Sequence, residues 1–293
     1  MAGDLSNIIE PGSEFKQLAT GFVFTEGPVW DPEGYLYFVD IRQNVLCRMK
    51  PDASDGDYEI VRRETGSGDG LTFDRNGNLL MCEGRHRRVT RTHSDSGRIE
   101  IIAERWNKLR LNSPNDVIAR PDGTVYFTDP PWAVEPAARQ LDFAGVYRIS
   151  PDGEVIMEAN GMEVPNGLAM SPDGGKLYVS NTRPNPYLNV YEVNPDGSLG
   201  PGERFADIPY GPNGATDGVP DGVKVDEAGN VFCTGAGGGW VFDSTGSRIG
   251  VIEAPELPAN LAFIGEDRKT LIFTSRTSVY SIRVQTPGMP VVY

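Results

Sequence analysis

The stretch TEGPVWDPEG, residues 25–34, places the carboxylate of Glu26 directly before a Gly-Pro and a short apolar run that ends in a turn. The same pattern recurs along the chain. EGPVWDPEG (26–34) aligns with DGLTFDRNG (69–77), NDVIARPDG (115–123), NGLAMSPDG (166–174), DGVKVDEAG (221–229) and, more weakly, NLAFIGEDR (260–268). In the first five copies a glycine stands eight places after the leading polar residue; the sixth has Arg268 there. Successive leading residues are 43, 46, 51, 55 and 39 positions apart, an interval that holds one four-stranded unit.

After each turn comes a β-rich run: YLYFVDI, NLLMCEG, TVYFTDP, KLYVSNT, NVFCTGA and TLIFTSR. Weaker strand signals such as VLCRMK, GVYRIS and LNVYEV follow, and sustained helical periodicity is absent. Six such units predict an all-β fold closed by radial repetition, a six-bladed β-propeller. The segment FKQLATGFVF (15–24) precedes the first copy and is expected to supply the outer strand of the last blade, closing the ring. No linker or block of like charge divides the chain, so it reads as one domain over residues 1–293, with 1–14 an N-terminal extension.

Composition narrows the partners. A net charge of -14 argues against nucleic acid or an anionic membrane surface, which need clustered Lys and Arg; the basic run Arg85–Arg88 reads as a solvated turn. No apolar run approaches the roughly 18 residues of a membrane span, and the N-terminus lacks the basic and apolar regions of an export signal. Three cysteines, none within metal-ligand spacing of another, read as reduced, buried thiols in a cytoplasmic protein. Oligomeric state is not encoded in any of these features.

In a propeller the first strand of each unit lines the central channel and starts from one common face. The leading residues Glu26, Asp69, Asn115, Asn166, Asp221 and Asn260 are therefore expected to converge at one mouth of the channel. Three acids and three amides in a partly dry site call for a positive partner. Oxygen-only donors suit one divalent cation: Ca²⁺ first, with Mg²⁺, Mn²⁺ or Zn²⁺ as the other candidates. With only His86 and His93 in the chain, a multi-histidine zinc site is excluded. A G-x-S-x-G nucleophile elbow is absent, and the glycine run GAGGG (235–239) lacks the Gly-Lys-Ser/Thr ending of a phosphate loop.

EGPVW (26–30), SPNDV (113–117), PNGLAMSPDG (165–174) and PDGVKVDEAG (220–229), in that order, resemble the SMP-30/gluconolactonase/LRE-like family of six-bladed propellers, with a likeness running from about residue 20 to 285. The LNSPNDV form and EGRHRRVTR (83–91) are similar to its bacterial gluconolactonase branch. The resemblance implies one divalent cation at the channel mouth held by Glu26, Asn166 and Asp221, with Asn115 beside it contacting substrate or water. Animal members carry an Arg two residues before that Asn; this chain has Ser113. The implied activity is metal-dependent opening of a lactone, a sugar lactone such as gluconolactone first, with Asp221 as general base and Asn115 orienting the carbonyl. A phosphotriesterase or other esterase on the same site is one alternative, and a non-catalytic binding propeller the other. Asp69 and Asn112 are expected to contact a small-molecule substrate. So are residues on the loops joining second and third strands, which reach the same face: Arg42, His86, Trp132, Arg183 and Tyr187. The longest of these loops, 130–143, is expected to form a lid with Trp132 as an apolar wall.

Overall fold

A computed structural model describes residues 3–52 and 57–291. Six four-stranded antiparallel sheets follow one another around a central channel. Five are built from consecutive strands, in simple meander order. The first runs Thr25–Trp30, Leu36–Asp40, Val45–Met49 and Glu59–Arg63. The inner strands of the second to fifth begin at Gly68, Val117, Pro165 and Val223. The sixth sheet is made of Asn260–Ile264, Thr270–Ser275 and Ser278–Arg283, and Lys16–Thr20 from the N-terminus pairs antiparallel with the last of these. Closure by the N-terminal strand is thus as expected from the segment 15–24. Residues before it also lie on this blade: Ile8 is buried, Ile9 bridges Val284, and Gln285 N donates to the Ile8 carbonyl at 2.8 Å.

Local chemistry explains the turns that the repeat announced. Asp31 accepts the backbone N–H of Tyr35 through Oδ1 at 2.9 Å, and Gly34 supplies φ = 84°. Asp74 and Asp226 do the same for Asn78 and Asn230, at 3.1 and 2.8 Å. Between the blades the core is apolar: Leu80, Cys82, Val117, Phe127 and Tyr147 form one such cluster. Cys47, Cys82 and Cys233 are buried and unpaired, and burial pushes the Cys47 thiol up to about 12. Among the described residues no helix is long and apolar enough to cross a membrane.

The inner strands pack closely where they enter the channel. Gly27, at φ = 56°, lies so near the next blade that a Cβ would sit 2.1 Å from the Asp69 carbonyl oxygen. Gly167 bears the same relation to Asp221, at 2.2 Å. These glycines follow leading residues, so small size there lets neighbouring blades bring their polar side chains together.

Candidate active site

A cavity of about 740 Å³ opens at the expected mouth, and Glu26, Asp69, Asn115, Asn166 and Asp221 all line it. The acids and amides pair across blade boundaries. Asn260 Nδ2 donates to Glu26 Oε2 at 2.8 Å, joining sixth and first blades. Asn115 Nδ2 donates to Asp69 Oδ2 at 2.8 Å, joining third and second. Asn166 in the fourth blade and Asp221 in the fifth line the same cavity, and the Asn166 amide lowers the Asp221 carboxyl against the rise that burial imposes. The Asn166 amide also donates to Thr182 Oγ1 at 3.0 Å, and that hydroxyl donates to the Pro220 carbonyl at 2.9 Å, immediately before Asp221.

These pairs soften the crowding of charge without removing it. Burial pushes the Glu26 carboxyl up to about 7 against the Gly27 N–H and Asn260, and Asp116 adds to the rise. Burial, then the charges of Glu26 and Asp116, hold Asp69 well above the ordinary carboxylate range. Burial, then Glu26, Asp69 and Asp116, do so for Asp221. Asp116 was not foreseen from the sequence. It occupies the position after the leading residue, where Gly27, Gly70, Gly167 and Gly222 stand in other blades, and it is buried beneath the mouth with Val117 N on its Oδ1 at 2.9 Å. The break in the glycine pattern was the available signal. Lys224, facing the channel from the fifth blade, draws Asp116 and Glu26 back down.

The donor chemistry fits a hard cation: carboxylates forced together in a partly dry site, with amide oxygens beside them. Among the described residues no three His, Cys, Asp or Glu side chains form a preformed cage; Asn166 stands beside Glu26 and Asp221 in the cavity wall.

A second device positions the leading residues. The acid or amide that ends the second strand grips the loop entering its own blade's first strand. Asp40 accepts Val23 N and Phe24 N at 2.7 and 3.3 Å, and also Arg42 N and Gln43 N at 3.1 and 3.0 Å. Asp129 accepts Asn112 N and Ser113 N, both at 2.7 Å. Asn181 Oδ1 accepts Val164 N at 2.8 Å. Each clamp lies within three residues of a leading residue: Glu26, Asn115 or Asn166. The runs ending YFVD, YFTD and YVSN carried this signal in the sequence.

Other expected contacts are placed elsewhere. Asn112 is buried with its Nδ2 on the Phe143 carbonyl at 2.8 Å. His86 turns back onto its own hairpin, its Nδ1 2.8 Å from Glu83 Oε2. Tyr187 is buried, with its hydroxyl 3.3 Å from Glu163 Oε2 and the Arg204 guanidinium over its ring. Trp132 does line the cavity, and Arg183 stands behind it, its guanidinium 4.3 Å from the ring centroid. A loop reaches the right face by topology, but the direction of each side chain follows the partner it finds there. The long loop contributes Trp132, Ala133 and Glu135 to the cavity wall, and Ser113 lines it too.

The family model for the SMP-30/Gluconolactonase/LRE-like region matches residues 24–277. A gluconolactonase of Zymomonas mobilis is 31% identical over 97% of this chain and 85% of its own. Pentonolactonase XacC of Haloferax volcanii is 32% identical over 85% of this chain and 80% of its own. Among solved structures, XC5397 of Xanthomonas campestris, described as a gluconolactonase, superposes with a TM-score of 0.85 at 29% identity, covering 97% of this chain and 93% of that one. The chain belongs to the SMP-30/gluconolactonase/LRE-like family.

Proposed function

We propose that the protein hydrolyses a sugar lactone at the channel mouth with the help of one divalent cation, calcium first, held by Glu26, Asn166 and Asp221. The observation that carries this reading is the gathering of Glu26, Asp69, Asn115, Asn166 and Asp221 into one cavity with room for a small cyclic ester, with Glu26 held by Asn260 and Asp69 by Asn115. The relatives named for lactone hydrolysis support the choice of ester over other bonds. When bound, such a cation supplies Lewis-acid polarisation of the carbonyl and makes a nearby water more acidic.

The chain's own groups then have separable tasks. Asp221, a carboxylate whose burial raises its basicity, takes the proton of the water that adds to the carbonyl carbon, and returns it to the ring oxygen as the C–O bond breaks. Asn115, fixed by its bond to Asp69, orients the carbonyl. Trp132 offers an apolar wall to the C–H face of the ring.

A pH-stat assay with aldonolactones, run before and after chelation and again with each cation restored, tests the proposal. Acid release above the spontaneous rate that vanishes with chelator and returns with a cation is expected. Release indifferent to chelator would remove the cation, and no release above the spontaneous rate would remove the lactonase.

A further inference from the structure

The cavity is acidic at its floor, yet two cations stand in its wall. Arg42 and Arg85 line it from the hairpins that join second and third strands in the first and second blades, which are neighbours. Both are exposed, and among the described residues neither guanidinium has an ion pair, a hydrogen bond or an aromatic partner. This differs from Arg62, Arg88, Arg91, Arg148, Arg268 and Arg283, each of which meets a carboxylate.

Their backbones are not free. Arg42 N donates to Asp40 Oδ1, and the next hairpin residue but one, Asn44, accepts Thr65 Oγ1 and Ser67 N through its side-chain oxygen at 3.0 and 2.8 Å. Arg85 N donates to the Gly66 carbonyl at 2.9 Å, and Gly84 N to Ser67 O at 3.1 Å. The result is two unengaged guanidinium groups on anchored stems in the wall of a cavity that Trp132, from the neighbouring third blade, also lines. A guanidinium recognises carboxylate or phosphate through paired N–H donors, and an anchored stem lowers the ordering cost of doing so. Asp69 and Glu135, the lining carboxylates not assigned to the cation, disfavour an anion beside them.

Building on the lactonase reading, we infer that Arg42 and Arg85 select a lactone that carries an anionic substituent, a carboxylate or phosphate, away from the ester. The ester lies at the acidic floor and the anion against the two arginines, so charge fixes which end of the substrate enters first.

The test compares kcat/KM for glucono-1,5-lactone, 6-phosphoglucono-1,5-lactone and glucarolactone, in the wild type and in the Arg42→Ala/Arg85→Ala double variant. The wild type is expected to favour at least one anionic lactone over the neutral one by about tenfold, the scale of one charge-assisted contact. The preference should shrink with added salt, and in the double variant the ratio should fall toward one, chiefly through KM. The phosphate and carboxylate arms tell the two sources apart. A wild-type ratio at or below one for both, or a ratio that the double variant leaves in place, overturns the inference. Titration of glucose 6-phosphate and glucuronate against glucose gives a readout independent of turnover: tighter binding of an anionic sugar, lost in the double variant, upholds the selection even if no lactone is opened. Equal binding of all three sugars overturns it.

Discussion

Glu26 and Asn260 stand 234 positions apart in the chain and meet at 2.8 Å across the seam between first and last blades. The contact exists only because the ring closes, and it settles one oxygen of the first-blade carboxylate while leaving the other for a ligand. Asn260→Ala should therefore leave the fold in place and weaken cation binding by about 10–100-fold, the usual effect of removing a partner that orients a ligand. Titration calorimetry with Ca²⁺ reads this directly; an unchanged affinity would separate Asn260 from the site.

Asp221→Asn keeps the shape of the side chain and removes its ability to accept a proton. Hydrolysis should fall by about 10²–10⁴-fold while the circular dichroism spectrum is retained. Near-normal turnover with the cation still bound would pass the role of base to another group.

The Asp129 clamp offers a test at a distance from the chemistry. Asp129→Ala leaves the Asn112 and Ser113 N–H groups buried without an acceptor, at a cost of about 1–3 kcal/mol each. Urea unfolding should report that loss, and KM should rise with it because Asn115 sits on the loosened loop. Unchanged stability would mean that the loop finds other acceptors.

Glu83 ends the second strand of the second blade and is fully buried among Arg62, His86, Arg88 and Thr90. Burial pushes its carboxyl up, but His86, Arg62 and Arg88 together pull it below its ordinary value. A folded-state value below the unfolded one gives stability that is present above the unfolded value of about 4.3 and lost as pH falls through the folded one. Glu83→Gln should cost about 1–3 kcal/mol at pH 7, since it removes the charge that the half-buried Arg62 and Arg88 share. The gap from wild type should close below about pH 4. A gap that persists at low pH would point to packing in place of charge.

Removing residues 1–22 takes away the strand Lys16–Thr20 and the buried Leu18, Ala19 and Phe22. It also leaves Ser278–Arg283 as an open sheet edge. At least about 5 kcal/mol of buried apolar contact is lost, so the melting temperature should drop by about 10 °C or more, with aggregation through the bared edge. A truncated chain that melts unchanged would show that ring closure does not depend on this strand.

By itself the sequence determined the number of blades, their boundaries and the face on which the leading residues lie. The reason is that these depend on short-range chemistry: an Asp or Pro followed by a positive-φ glycine makes its turn wherever it occurs, and alternating apolar residues make a strand. It also marked Glu26, Asp69, Asn115, Asn166 and Asp221, because a repeat puts equivalent positions in equivalent places. The tertiary structure alone decided which acid meets which amide, since each bond crosses from one blade to another and depends on glycines such as Gly27 and Gly167 that let the strands approach. It likewise turned His86 toward Glu83 and Tyr187 toward Glu163, and left Arg42 and Arg85 facing the cavity. A side chain on a loop takes the direction of its strongest available partner, and that partner is supplied by packing between segments distant in sequence.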